Sequence, residues 1–157
     1  MSGFRRGVRL GIDVGRARVG VARSDPDGML AVPVETVPRN DLSIDRILQI
    51  AEDYDLLEFV VGLPVNMQGA DTPSTTDARE FAAALQQRSG VPVRLVDERL
   101  STVTAHAALR SSGRSQKKSR SIVDQVAAVV LLQQAIDTEK STGNPAGATI
   151  PADEEPV

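Results

Sequence analysis

The sequence predicts an α/β domain built on a mixed β-sheet, and three observations carry that expectation. The opening stretch holds three short runs of period-two alternation joined by tight connections, the pattern of an antiparallel meander. From Ile44 onward the apolar period alternates between helical spacing and strand-like runs, as in strand–helix–strand units. The length of 157 residues suits one domain, 1–138, with 139–157 expected as a disordered acidic C-terminal tail.

The first strand is expected over Val8–Val14, where Val8, Leu10, Ile12 and Val14 alternate with Arg9, Gly11 and Asp13, so Asp13 sits on the opposite face. Gly15 interrupts the run, and Arg18–Arg23 resumes it with Val19 and Val21. Pro26-Asp27-Gly28 marks a turn before a third strand over Leu30–Val37. Ile44, Ile47, Leu48, Ala51 and Tyr54 then fall at helical spacing, behind Asp41 or Ser43 as N-cap. Phe59-Val60-Val61-Gly62-Leu63 is a continuous apolar run, the mark of a strand covered on both faces, and Pro64 ends it. Ala78, Phe81, Ala82 and Leu85 describe a second helix, with Ser74 and Asp77 as its capping pair and Gly90 as its stop. A strand over Val91–Asp97 and helices over Ser101–Arg110 and Ser121–Ile136 complete the order. Ser111–Ser121 carries Arg114, Lys117, Lys118 and Arg120 without an acid and is rich in Ser and Gly, so it reads as a mobile basic segment.

Composition removes several kinds of chemistry. There is no Cys and only one His, His106, which excludes disulfide scaffolds, thiol nucleophiles and multi-His metal cages. Phe4, Tyr54, Phe59 and Phe81 are too few aromatics to build a stacking surface as well as a core. No apolar run approaches the ~20 residues of a membrane span, so a cytoplasmic chain without a membrane partner is expected. The formal charge of −3 argues against a basic binder, but five acids and one Lys lie from Asp137 onward, leaving 17 basic and 16 acidic residues in the body. Five of those positive charges fall within Arg110–Arg120, so a nucleic-acid partner is compatible with the acidic total.

What remains for chemistry is carboxylates, hydroxyls and cations. Asp13 ends a central-looking strand in Gly11-Ile12-Asp13-Val14-Gly15, where a carboxylate either binds a hard cation or caps the turn and pairs with Arg16 or Arg18. Asp97-Glu98-Arg99 follows a strand end, a place where α/β sheets put ligands and also where a solvated charge triplet starts a loop. Ser101 and Thr102 can cap the next helix. Asp124 sits in Ser121-Ile122-Val123-Asp124, a capping-box-like string, yet within the apolar stretch Ile122–Leu132, where a carboxylate can face inward. Gly62-Leu63-Pro64-Val65-Asn66-Met67-Gln68-Gly69 makes a shaped loop in which Asn66 offers donors and acceptors. Three carboxylates from three elements can hold one or two Mg²⁺ ions for phosphodiester hydrolysis, and no Ser–His–Asp arrangement competes.

These strings resemble the YqgF (RuvX) family, described as Holliday junction resolvases and as pre-16S rRNA nucleases. The resemblance rests on Leu10-Gly11-Ile12-Asp13-Val14-Gly15 with Arg18-Val19-Gly20-Val21-Ala22, on Gly62-Leu63-Pro64 with Asn66 and Gly69, on Asp97-Glu98-Arg99-Leu100-Ser101-Thr102, and on Asp124 with Ala127-Ala128. It covers about Val8 to Ile136. It implies an RNase H-like mixed sheet with three antiparallel leading strands flanked by helices. It also implies that Asp13, Glu98 and Asp124 form a metal site for Mg²⁺ or Mn²⁺. On that reading Arg18, Arg99, Arg114, Lys117, Lys118 and Arg120 hold phosphates, while Asn66 and Ser101 position substrate. Arg16-Ala17 departs from the family pattern, which has a Thr or Ser and a basic residue there.

The expected activity is a metal-dependent nuclease acting in 5′-end processing of precursor 16S rRNA. A junction resolvase on branched DNA and a non-catalytic RNA-binding or transcription factor are the alternatives. Expected partners are nucleic acid and the ribosome or transcription machinery, with the chain a monomer or homodimer. The Asp-x-Gly string also resembles the phosphate loop of actin-like ATPases, but those pair two such domains around one nucleotide, and this length allows one.

Overall fold

Side-chain alternation along one strand sets the layering of the whole molecule. The computed structural model describes residues 3–97 and 116–151, with backbone alone over 116–124. In chain order the elements are β1 (Val8–Val14), β2 (Arg18–Ser24), β3 (Ala31–Pro38), α1 (Ser43–Ala51), β4 (Leu56–Leu63), α2 (Pro73–Ser89), β5 (Val93–Asp97), α3 (Gln116–Thr142) and β6 (Ala148–Thr149). They form one sheet of order β3-β2-β1-β4-β5-β6. The first three strands pair antiparallel, β1–β4 and β4–β5 pair parallel, and β6 returns antiparallel on β5. The expected meander and mixed α/β sheet are therefore present.

Leu10, Ile12 and Val14 of β1 join Val19, Val21, Phe59, Val61 and Leu63 in a core that Ile47, Phe81, Ala82 and Leu85 cover from α1 and α2. On the opposite face Ala22, Ala31 and Val60 pack under Ala128, Leu131, Leu132, Ala135 and Ile136 of α3. Gly11 lets α3 come close. A Cβ there would lie 2.9 Å from the Ala128 carbonyl oxygen and 2.9 Å from Leu132 Cβ. Among the described residues no helix is long and apolar enough to cross a membrane.

Several boundaries differ from expectation. The N-cap of α1 is Leu42 rather than Asp41 or Ser43, and it supplies no side-chain cap. Ser43 Oγ instead accepts the Asn40 N–H at 2.8 Å and donates to the Pro38 carbonyl at 2.7 Å. For α2 the capping pair is Thr72 and Thr75 rather than Ser74 and Asp77, because Pro73 presets the first helical φ and leaves Thr72 extended before it. Gly90 ends α2 in the left-handed conformation, as its position suggested. The helix expected to start at Ser121 starts at Gln116, so part of the segment read as mobile, 116–121, belongs to α3. The expected helix over 101–110 lies outside the described residues.

The largest correction concerns the tail. Its boundary at 139 falls inside α3, which continues to Thr142, and the chain then pairs on β5 as β6. Glu139 is 2% exposed and forms part of a buried charge cluster. Arg9, on the face of β1 opposite Leu10, is also buried and donates to Glu139 at 3.2 Å. Arg5 donates to Glu139 at 2.8 Å and to Glu58 at 3.1 Å, and Arg94 reaches Glu58 at 3.2 Å. Burial pushes the Glu139 carboxyl up, but hydrogen bonds from the Arg5 guanidinium and amide and the fields of Arg9 and Arg5 outweigh it and hold it below its ordinary range. Among the described residues no buried side-chain polar atom lacks a hydrogen-bond partner.

Candidate active site

β1, β4 and β5 run parallel and finish at the same end of the sheet. Asp13 pairs with Gly20 across β1–β2, and Gly20 pairs with Thr36 across β2–β3. On the other side Asp13 lies one step beyond the Ile12–Val61 pair, level with Gly62, which pairs with Val96 of β5. Paired residues share a face, so the row under α3 reads Thr36, Gly20, Asp13, Gly62, Val96. A half-buried carboxylate thus stands between two positions without side chains.

The register of α3 over this row follows from two contacts. Gln125 Nε2 donates to Thr36 Oγ1 at 2.9 Å, fixing residue 125 over the row itself. Gly11 lies against Ala128 and Leu132, and Arg9 lies against Glu139, so β1 and α3 run in opposite directions. Two strand residues advance about 6.8 Å and one helical turn of four residues about 6 Å, so Asp13 falls on the rung next to position 124. Asp124 is well inside α3, so its string does not cap that helix. Asp97 is exposed at the end of β5, pairs with Leu63, and runs directly into Glu98. Of the three expected metal ligands, Asp13 lies on the face that α3 covers, while Glu98 and the Asp124 side chain lie outside the described residues. No group of three or more His, Cys, Asp or Glu side chains converges among the described residues.

The other expected contacts divide similarly. Arg18 opens β2 at the same sheet end, and its carbonyl accepts the Gly15 N–H at 2.8 Å, closing the β1–β2 turn. Arg99, Ser101 and Arg114, like His106, lie outside the described residues. Lys117, Lys118 and Arg120 lie on the first turns of α3. Asn66 has a structural task. Its Oδ1 accepts the Gln68 N–H at 3.0 Å and the Ala70 N–H at 2.9 Å, and its own N–H donates to the Ala70 carbonyl at 3.0 Å. This Asx-type closure shapes the loop after β4, and the Thr75 hydroxyl anchors its base by donating to the Pro64 carbonyl at 2.7 Å.

Sequence reasoning missed a second set of residues, on the α1–α2 face. Arg39 donates to both carboxylate oxygens of Asp77 at 2.8 Å and lies 4.9 Å from the centroid of the Phe81 ring. The same guanidinium donates to the Gly15 carbonyl at 3.0 Å, and the Arg39 N–H donates to the Ala17 carbonyl at 3.0 Å. The paired Arg39 guanidinium holds the Asp77 carboxyl below its ordinary range against the opposing effect of burial, with help from the field of Arg16. A cleft of about 690 Å³ opens beside them, lined by residues that include Arg16, Asp41, Glu80 and Phe81, across the sheet from Asp13. No local periodicity marks a pair 38 residues apart.

A mixed sheet led by three antiparallel strands, with helices on both faces and a carboxylate near the end of its central strand, is the RNase H-like fold. The chain belongs to the RuvX family, described as "Holliday junction resolvase", whose profile matches residues 7–138. It is 53% identical over 151 residues to a protein of Clavibacter michiganensis subsp. michiganensis named "Putative pre-16S rRNA nuclease", covering 94% of each chain. Proteins of the same name from Leifsonia xyli subsp. xyli, 55% identical over 146 residues, and Streptomyces coelicolor, 51% identical over 147, cover 92% of this chain and 94% and 88% of theirs. Among solved structures, Thermus thermophilus RuvC in complex with a Holliday junction substrate superposes with a TM-score of 0.55 at 17% identity, covering 88% of this chain and 99% of that one. That similarity concerns the fold.

Proposed function

We propose that this chain is a divalent-metal-dependent nuclease that processes the 5′ end of precursor 16S rRNA in the cytoplasm. The observation that carries the reading is the half-buried Asp13 carboxylate between Gly20 and Gly62 on the face of the central strand that α3 covers. The names of the relatives at about half identity support the substrate.

The residues suit a hard cation. Asp13, Glu98 and Asp124 offer only oxygen, and the glycines flanking Asp13 leave space at its level for an ion and its waters. When bound, Mg²⁺ or Mn²⁺ supplies a Lewis acid and a lowered water pKa at the scissile phosphate. The chain's own part is to supply the three carboxylates and to hold the backbone of the substrate. Arg18, Arg99, Arg114, Lys117, Lys118 and Arg120 act on phosphates and Ser101 on substrate position, while Asn66 acts through the loop it closes. Few aromatics leave recognition to phosphates and shape rather than to stacked bases.

The family description favours a second reading, cleavage of four-way DNA junctions, which requires two active sites acting together. Purified protein is incubated with Mn²⁺ on a precursor 16S 5′ fragment and on a four-way junction, beside Asp13→Asn, Glu98→Gln and Asp124→Asn. The expected result is rRNA cleavage that EDTA abolishes and each folded variant reduces to the EDTA background. Cleavage confined to the junction, by a dimer, selects the second reading. Affinity for RNA that survives EDTA and all three substitutions, without any product, overturns the enzyme assignment.

A further inference from the structure

We infer that Arg39 is a positioning residue that fixes the β1–β2 turn, and through it Asp13, by bracing that turn against α2. The inference rests on the reading of Asp13 as a metal-site carboxylate. The turn is short: Val14 ends β1, Arg18 starts β2, and the Gly15 N–H closes on the Arg18 carbonyl at 2.8 Å. Two further carbonyls of the turn, on Gly15 and Ala17, both receive hydrogen bonds from Arg39, one from its guanidinium and one from its backbone. Its Nη1 and Nη2 also donate to the two Asp77 carboxylate oxygens, and the guanidinium lies over the Phe81 ring, so one side chain ties the turn to α2 at several points.

The consequence is geometric. Asp13 is held from the α3 face by helix register and from the α1–α2 face by a clamp that ends two residues away from it. Releasing the clamp frees a turn whose tip, Arg16 and Ala17, is exposed. A carboxylate displaced by a fraction of an ångström loses catalytic efficiency while substrate contacts elsewhere persist. A lysine reaches Gly15 or Asp77 but cannot form the fork with Asp77 and the third bond together.

The test compares Arg39→Ala, Arg39→Lys and Asp77→Asn with wild type, and with Ile50→Val as a destabilised control on the same face. Arg39→Ala is expected to lower kcat by about tenfold or more with KM within about twofold, and to raise the Mn²⁺ concentration needed for half-maximal rate. Asp77→Asn is expected to show a smaller effect of the same kind, and Arg39→Lys to recover part of the loss. Hydrogen exchange of the Gly15 amide is expected to accelerate in Arg39→Ala and not in Ile50→Val. Unchanged exchange at Gly15, or a kcat loss that Ile50→Val reproduces at equal Tm, overturns the inference. If wild type cleaves no nucleic acid, the nuclease reading fails, and Mn²⁺ affinity with Gly15 exchange still decides the role of Arg39.

Discussion

Gly11→Ala measures how closely α3 must approach β1. The added methyl meets a carbonyl oxygen and a Cβ at 2.9 Å, where ordinary contact begins at 3.4 Å, so helix and strand must part by about 0.5 Å. Overpacking of this kind costs about 1–3 kcal/mol, and the entropy lost from the unfolded chain returns about 0.4–1, leaving a net loss of about 1–2 kcal/mol. At roughly 2–4 °C per kcal/mol for a domain of this size, Tm falls by about 2–8 °C. Calorimetry gives the stability, and the cleavage assay gives kcat, which is expected to fall further than the stability loss explains because the next rung holds Asp13 and position 124. Trimming Leu132 to Ala does not rescue either quantity, since the obstructing atoms are Cβ and backbone oxygen, which alanine retains. A Gly11→Ala protein with unchanged Tm and kcat, or rescue by Leu132→Ala, refutes the register.

Glu139→Gln leaves Arg9 buried without its full counter-charge, and denaturant titration is expected to show a loss of about 3–5 kcal/mol, the usual cost of breaking a buried pair. Because the folded carboxyl titrates below its ordinary range, its contribution is present above about pH 4.3 and is lost as pH falls through the lowered folded value. Stability measured from pH 6 downward therefore falls less steeply in Glu139→Gln than in wild type. Thr75→Val removes the hydroxyl that caps α2 and binds the Pro64 carbonyl, and is expected to cost about 1–2 kcal/mol by thermal melting.

The face of Asp13 was legible because alternation along β1 is local and strict, whereas the stripe of Ala128, Leu132 and Ala135 that α3 turns to the sheet emerged only in the fold. The same stripe extended by one turn lands on Glu139, which composition alone assigned to a tail because Gly and Pro follow it. Periodicity outranks composition there, since an acid at an inward position is stable once Arg5 and Arg9 surround it. Ser121-x-x-Asp124 misled for the opposite reason: a local capping pattern is blind to a helix that begins a turn earlier. Arg39 and Asp77 were illegible because nothing local links the end of β3 to the first turns of α2. Only the folded sheet brings them together.

The cluster of Arg9, Glu58 and Glu139 also fixes when this chain can become native during its own synthesis. Arg9 belongs to the central strand, which is synthesised well before α3, yet one of its two acidic partners, Glu139, lies in α3. Until that acid is translated, Glu58 alone faces the guanidinium groups of Arg5, Arg9 and, once β5 has formed, Arg94. Order in the early strands therefore waits on the last long helix, and a nascent chain stalled before it exposes its central strand rather than storing a finished half-domain.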